Sequence, residues 1–317
     1  MFYADLHTDT LTTYDSLFDV SRPNNFGALR SAGCRLMCYA AFLRLERGDL
    51  LSTALSYARK LSEQVAAHSA HALRVLCAAD MNRAAEEGKV GALFTVEEGA
   101  AVEDDVANLS ALYAAGMRMM TLTWNHANAL GVPNASMADY AREGAAALPK
   151  VNSRPLSEFG REVVAEMNRL GIIVDVSHLS DGGFWDVMDV SSRPVVASHS
   201  NARAVCNAAR NLTDPMLRAL AAKGGVAGLN LTPDFLCGPR ENVLQYAVRH
   251  AVHVWNVAGE DVLALGTDFD GMTPRAPLVD CSAIPTLYDA LCAQIPSRVV
   301  DKMMWDNFLR VFGEVCG

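Results

Sequence analysis

The chain has no Cys-x-x-Cys pair, no Gly-x-Gly-x-x-Gly after its first apolar run and no surplus of positive charge. Without the glycine fingerprint, a Rossmann dinucleotide-binding reading is weak. Its 27 Lys and Arg face 36 Asp and Glu, a net charge of −9. A nucleic-acid footprint is therefore not expected, and an anionic membrane surface is a poor partner. No apolar stretch reaches the length of a membrane span. Nothing at the N-terminus reads as a secretory signal, and Val315-Cys316-Gly317 fits no lipidation signal. Cys34 and Cys38 lie four apart in an apolar run, so buried thiols fit better than a metal clip. A chain of this size needs no disulfide staples, and a reducing, cytoplasmic setting is expected.

What is present is a large apolar fraction, 51% of 317 residues, arranged in recurring runs. Eight runs read as strands: Phe2–Leu6, Arg35–Phe42, Gly91–Val96, Met117–Thr123, Ile172–Ser177, Pro194–Ser198, Gly225–Leu231 and Val262–Thr267. Most are nearly continuous in apolar residues, as in parallel strands covered on both faces. Helical patterns fill the gaps. Ser157–Leu170 places Phe159, Val163, Val164, Met167 and Leu170 on one face, with Gly171 at the C-terminal cap. Thr213-Asp214-Pro215 reads as a helix start, and Asp49–Ala70 and Asn242–Ala258 also read as helices. Alternating strand and helix predict an α/β protein of right-handed βα units. Eight strands favour a (β/α)8 TIM barrel over an open doubly wound sheet. With no composition break or linker, residues 1–317 are expected to form a single catalytic domain. The long segment Trp124–Arg154, with Gly131, Pro133, Asn134, Gly144, Pro149 and Asn152, reads as a loop over the barrel mouth.

Polar residues that bind metals or move protons stand where these runs end, the position at which barrels carry their chemistry. His7 and Asp9 follow the first run; in extended chain, residues two apart point the same way. Glu97 and Glu98 end another run, and the sequence barely chooses between an inward carboxylate and a helix cap. His178 and His199 occupy the same offset from consecutive runs, each after a serine. Imidazole suits zinc and similar metals. Asp268 follows Thr267 directly, whereas Asp270 precedes Gly271 and equally suits a turn. Arg210, if it points into the pocket, has the planar fork that suits a substrate carboxylate. Three histidines and three or four carboxylates suffice for two metals that activate water and polarise a carbonyl.

As a set, Asp5-Leu6-His7-Thr8-Asp9, Val96-Glu97, Asp175-Val176-Ser177-His178, Ser198-His199-Ser200-Asn201-Ala202-Arg203, Arg210-Asn211 and Gly266-Thr267-Asp268-Phe269-Asp270-Gly271 resemble the membrane (renal) dipeptidase family. This is peptidase family M19 of the amidohydrolase superfamily. The blocks occur in the family's order across nearly the whole chain, and Met304–Phe312 resembles its closing helix. The resemblance implies a metal-dependent dipeptidase with two Zn2+ ions. It implies that His7, Asp9 and Glu97 hold one zinc, with Glu97 bridging to a second held by His178 and His199. It further implies attack by a bridging hydroxide, Asp268 as catalytic acid/base and Arg210 on the C-terminal carboxylate of a dipeptide. Homodimers recur in the family, although the sequence itself shows no interface.

Three positions depart from the family pattern. Trp124 stands where many members carry a substrate-contacting histidine, with Asn125 and His126 beyond it. Ala208-Ala209 replaces the His-Pro common in bacterial members, and Phe235 falls where some have tyrosine. Trp124, His126 and Asp270 are therefore candidate substrate contacts beside Arg210. The metal set is intact and the substrate shell is altered. A second reading is an amidohydrolase acting on another small amide, such as an N-acyl amino acid or a lactam. A third is a metal-binding barrel without catalysis, ranked low because every expected ligand and Asp268 are present.

Overall fold

The computed structural model describes residues 1–144, 152–236 and 242–317; Pro149 of the long loop and Cys237 lie outside them. The described residues contain nine parallel strands in one sheet: β1 (Tyr3–Thr8), β2 (Cys34–Phe42), β3 (Ala72–Arg74), β4 (Val90–Glu97), β5 (Met117–Thr121), β6 (Ile173–Asp175), β7 (Val196–Ala197), β8 (Val226–Leu229) and β9 (Leu263–Leu265). Eight follow the path β1-β2-β4-β5-β6-β7-β8-β9, and β3 pairs with β4 alone. Each of the eight expected runs overlaps one path strand, although β1, β2 and β4 extend beyond theirs. The ends of the path meet where Asp268 N donates to His7 O (3.2 Å), Asp9 N donates to Phe269 O (3.0 Å) and Thr8 bridges Phe269. The fold is a nearly closed (β/α)8 barrel.

Two apolar layers hold it. Inside, Leu6, Leu36, Leu93, Met119, Ile173, Val196, Val226 and Ala264 fill the barrel. Trp305, Phe308, Val311 and Phe312 of the closing helical segment join that cluster and plug its lower end. Outside, Tyr39, Phe94, Val174, Ala197 and Leu263 pack against the surrounding helices. The continuous apolar runs are thus explained by burial on both faces. The helix at Glu158–Leu170 starts at Ser157, whose side chain accepts from Gly160 N, and ends at Gly171 with φ 78°. The helix at Asp214–Ala222 is capped by Thr213, with proline in its first turn.

Two buried carboxylates reinforce the seams where backbone pairing is short. At the β1–β9 seam Asp5 accepts from Thr267 N (2.9 Å) and Thr267 Oγ1 (2.6 Å). At the β6–β7 seam Asp175 Oδ1 accepts from Ser177 N and Ser198 N (both 2.9 Å). Its Oδ2 accepts from Ser198 Oγ (2.5 Å) and Thr121 Oγ1 (2.7 Å). Such charge-assisted bonds are the strong kind.

The segment after β5 is not wholly irregular. Met137–Glu143 is helical, begun by a capping box between Ser136 and Asp139. Asn134 N donates to His178 O (2.8 Å), which ties this segment to the end of β6. Cys206 is disulfide-bonded, which corrects the expectation of thiols throughout. Cys206 itself lies in the loop after β7. Among the described residues no helix is long and apolar enough to cross a membrane.

Candidate metal centre

The upper mouth of the barrel gathers His7, Asp9, Glu97, His178, His199 and Asp268 from β1, β4, β6, β7 and β9. Glu97 arrives by simple alternation. Leu93 faces the barrel interior, so Glu97, four residues on and last in β4, faces it too. Glu98 turns away at φ 117° and is buried elsewhere. It accepts from Ala100 N (3.0 Å), from Trp124 N (3.2 Å) and from Asn128 Nδ2. His7 and Asp9 converge by a route other than extended alternation. Asp9 sits at φ −91°, ψ 7° at the start of a short helical turn, and still brings Oδ2 within 3.6 Å of His7 Nε2.

Glu97 stands between two sets of groups. Its Oε2 is 3.6 Å from His7 Nε2, and its Oε1 is 3.0 Å from His178 Nε2 and 3.5 Å from His199 Nε2. Two overlapping trios have ligand atoms within 4.8 Å of one another: His7, Glu97 and His199, and His7, Asp9 and Asp268. The His7 and His199 rings stack, with centroids 3.8 Å apart.

The outer nitrogens fix the inner ones. His178 Nδ1 lies 2.8 Å from Asn125 Oδ1, an acceptor, and so carries the proton. Ser198 Oγ donates to Asp175, and so receives the Nδ1–H of His199 at 2.7 Å. Both Nε2 atoms then present lone pairs, facing each other at 3.1 Å and facing Glu97. Burial, then the charges of Arg210 and His7, holds His178 well below the usual imidazole range; burial, then His7 and Arg210, does the same to His199. Both rings are therefore neutral, the form that binds metals. Burial pushes the Glu97 carboxyl up, and Asp9 and Asp268 add to this. Burial opposes a charge on His7, but Glu97, Asp9 and Asp268 outweigh it and raise His7. The buried His7 Nε2 has no hydrogen-bond partner. Gly271 leaves the space open, since a Cβ there would lie 1.9 Å from Asp9 Oδ2. Converging lone pairs, crowded carboxylates, an unpartnered ring nitrogen and a cleared cradle all fit cations.

Asp268 holds φ 67° and is fixed through Oδ2, which accepts from Thr232 Oγ1 (2.8 Å) and Asn230 Nδ2 (3.2 Å). Its Oδ1 lies 4.0 Å from His7 Nε2. Burial raises its carboxyl above the usual range, against the pull of His7. The mouth is a pocket of about 310 Å³ in which Asp9, Glu97, His178, His199 and Asp268 share the wall with Trp124, Arg210 and Phe235.

The remaining candidates differ in placement. Arg210 is 4% exposed, donates to His199 O (3.1 Å), keeps an unpartnered Nε and lies over the Phe235 ring. Trp124 packs edge-on against Phe42 with centroids 4.6 Å apart. His126 stands beside Trp124 at 5.5 Å and is not among the residues lining the pocket. Asp270 borders the pocket, but its oxygens accept from Thr10 (2.5 Å), Tyr14 (2.6 Å) and Asn24 (3.1 Å), so it braces a loop. Asn125, Asp175, Asn230 and Thr232, which position the cluster, had no role in the sequence reading. For Asp175 the signal was a carboxylate inside an apolar run.

The sequence profile of the membrane dipeptidase family, peptidase family M19, matches residues 2–316. A Klebsiella pneumoniae protein described as the uncharacterized protein in the pqqA 5′ region is 37% identical over 260 residues, which are 80% of this chain and 93% of that one. Among solved structures, the M19 metallo peptidase dipeptidase AC has a TM-score of 0.87 at 25% identity, covering 100% of this chain and 99% of its own. A Rhodobacter sphaeroides metallo peptidase, liganded with a phosphinate mimic of L-Ala-D-Ala, shares the fold with a TM-score of 0.86 at 24% identity over 99% of each chain.

Proposed function

Since the chain belongs to the membrane dipeptidase family, peptidase family M19, we propose that it hydrolyses dipeptides at a dinuclear zinc centre in the barrel mouth. The observation that carries this reading is the convergence of His178 Nε2 and His199 Nε2 on Glu97 Oε1, 3.0 and 3.5 Å away, with each ring oriented through its Nδ1 by Asn125 or Ser198. His7, Asp9 and Glu97 would hold one ion, and Glu97, His178 and His199 the other. Zinc bound there lowers the pKa of water and polarises the amide carbonyl.

The side chains supply the rest. Arg210, whose Nε has no partner while its terminal nitrogens donate to Ser200 Oγ and His199 O, receives the substrate's C-terminal carboxylate, a pairing worth more in a buried site than in water. Trp124, Phe42 and Phe235 wall the pocket and exclude water from one side of the substrate. Asp268, with Oδ2 tied to Thr232 and Asn230, keeps Oδ1 free. It takes a proton from the attacking water and passes it to the leaving amine, as a general base and then a general acid. Its raised pKa suits both steps.

A second reading, hydrolysis of N-acyl amino acids, draws support from the aromatic wall of Trp124 and Phe42, which would also accept an acyl group. Purified protein should carry about two zinc ions per chain and cleave Ala-Ala faster than N-acetylalanine. Cleavage of N-acetylalanine alone would transfer the proposal to the second reading.

A further inference from the structure

Beside the metal centre lies a side pocket of about 240 Å³, walled by Thr12, Thr13, Phe42, Leu43, Arg44, Leu50, Thr53 and Tyr57. Thr12, Thr13, Phe42 and Arg44 also line the main pocket, so the two share a wall. Arg44 is the sole charged residue among the described lining residues of the side pocket. Its guanidinium stands 5.9 Å from the Phe42 ring centroid and makes no ion pair or hydrogen bond with any described residue. The Tyr57 hydroxyl has no partner among the described residues either. By contrast, the Thr12 and Thr53 hydroxyls already donate to Asp9 O (3.0 Å) and Asp49 O (2.9 Å). The donors left open are Arg44 and Tyr57, which suits an anion.

Barrel order says which end of a substrate reaches them. Arg44 follows β2 and Arg210 follows β7, and these strands are four apart on the eight-strand path. The two arginines thus stand on opposite sides of the mouth, with the metal cluster between. A dipeptide with its carboxylate on Arg210 and its amide over Glu97 directs its first residue toward β1 and β2. We infer that Arg44 and Tyr57 form a subsite for a carboxylate on the side chain of the N-terminal residue, so that dipeptides beginning with Glu or Asp are favoured. This rests on the dipeptidase reading above.

The test compares kcat/KM for Glu-Ala and Gln-Ala, which differ in charge but hardly in shape, using the zinc-loaded enzyme. Because Arg44 is exposed, the expected preference for Glu-Ala is about five- to tenfold. It should shrink in 1 M salt, where screening reaches only ~3 Å. In Arg44→Gln the ratio should fall to about one, and in Tyr57→Phe to an intermediate value. Cleavage of Ala-Ala with equal rates on Glu-Ala and Gln-Ala, or an unchanged preference in Arg44→Gln, overturns the subsite and leaves the dipeptidase standing. Inertness toward every dipeptide, Ala-Ala included, overturns both.

Discussion

The hydroxyl of Ser198 lies 2.7 Å from Nδ1 of His199, and it is itself held by the buried Asp175 carboxylate. A strand-joining carboxylate thereby sets the tautomer of a candidate ligand. In Asp175→Asn, donors from Thr121, Ser177 and Ser198 would face an amide with one acceptor oxygen. We expect a loss of about 2–4 kcal/mol in urea unfolding. Zinc affinity should also fall about 10–100-fold. Full zinc affinity in a destabilised variant would limit Asp175 to holding the strands.

Replacing His178 with Ala removes a lone pair aimed at Glu97. Zinc stoichiometry and turnover should fall together, measured by metal analysis after desalting. Asn125→Ala leaves the ring but frees its Nδ1. It should bind zinc about 10–100-fold more weakly. Unchanged stoichiometry in His178→Ala would remove that residue from the ligand set.

Asp268→Asn keeps the shape of the side chain and loses the proton acceptor. Turnover on a good dipeptide should drop about 10²–10⁴-fold with metal content unchanged. Retention of full activity would take Asp268 out of the reaction.

Gly271→Ala would put a methyl group 1.9 Å from Asp9 Oδ2 and 2.9 Å from Asp268 Oδ1. Gly271 is exposed, so stability should change by less than ~1 kcal/mol. Zinc affinity and rate should both fall, because Asp9 must move. Wild-type zinc binding would show that the cradle tolerates a side chain.

His250 is fully buried, accepts from Ala202 N at Nδ1 (3.1 Å), and is pushed down to about 4 by burial. Its folded pKa lies below the unfolded value of about 6.5, so the unfolded chain binds the extra proton between the two. Its contribution is fully present above pH 6.5, is lost as pH falls toward 4, and is constant below that. The slope contributed should total on the order of 3 kcal/mol. His250→Gln, which does not titrate, should flatten this part of the urea-midpoint profile.

Much of the barrel was legible because strands buried on both faces need unbroken apolar runs, and helices between them carry explicit caps at Ser157, Gly171 and Thr213. The same continuity hid the strands' phase. Nothing in Ala92–Val96 says which face holds Leu93, so the run itself did not separate Glu97 from Glu98; only the family resemblance favoured Glu97, and the backbone turn at Glu98 supplies the physical reason. Strand ends were read too long at Val176-Ser177 and at Ser198, where side-chain bonds from Asp175 replace the ladder. Strand β3 is three residues long and lies off the barrel path, too brief to leave a pattern. The helix at Met137–Glu143 did leave one, Ser136-x-x-Asp139, inside a segment whose glycines and prolines pointed to loop. Asn125 could be found only in three dimensions, because its partner lies far along the chain.

The joint between β1 and β9 also dictates an order of events. A ribosome releases His7 long before Asp268, yet the backbones of these two are bonded to each other. Until that late segment arrives, the early histidine lacks its neighbour and the ring of strands stands open. Ions captured by a nascent chain would then sit in a half-built cage, and durable loading belongs to the finished barrel.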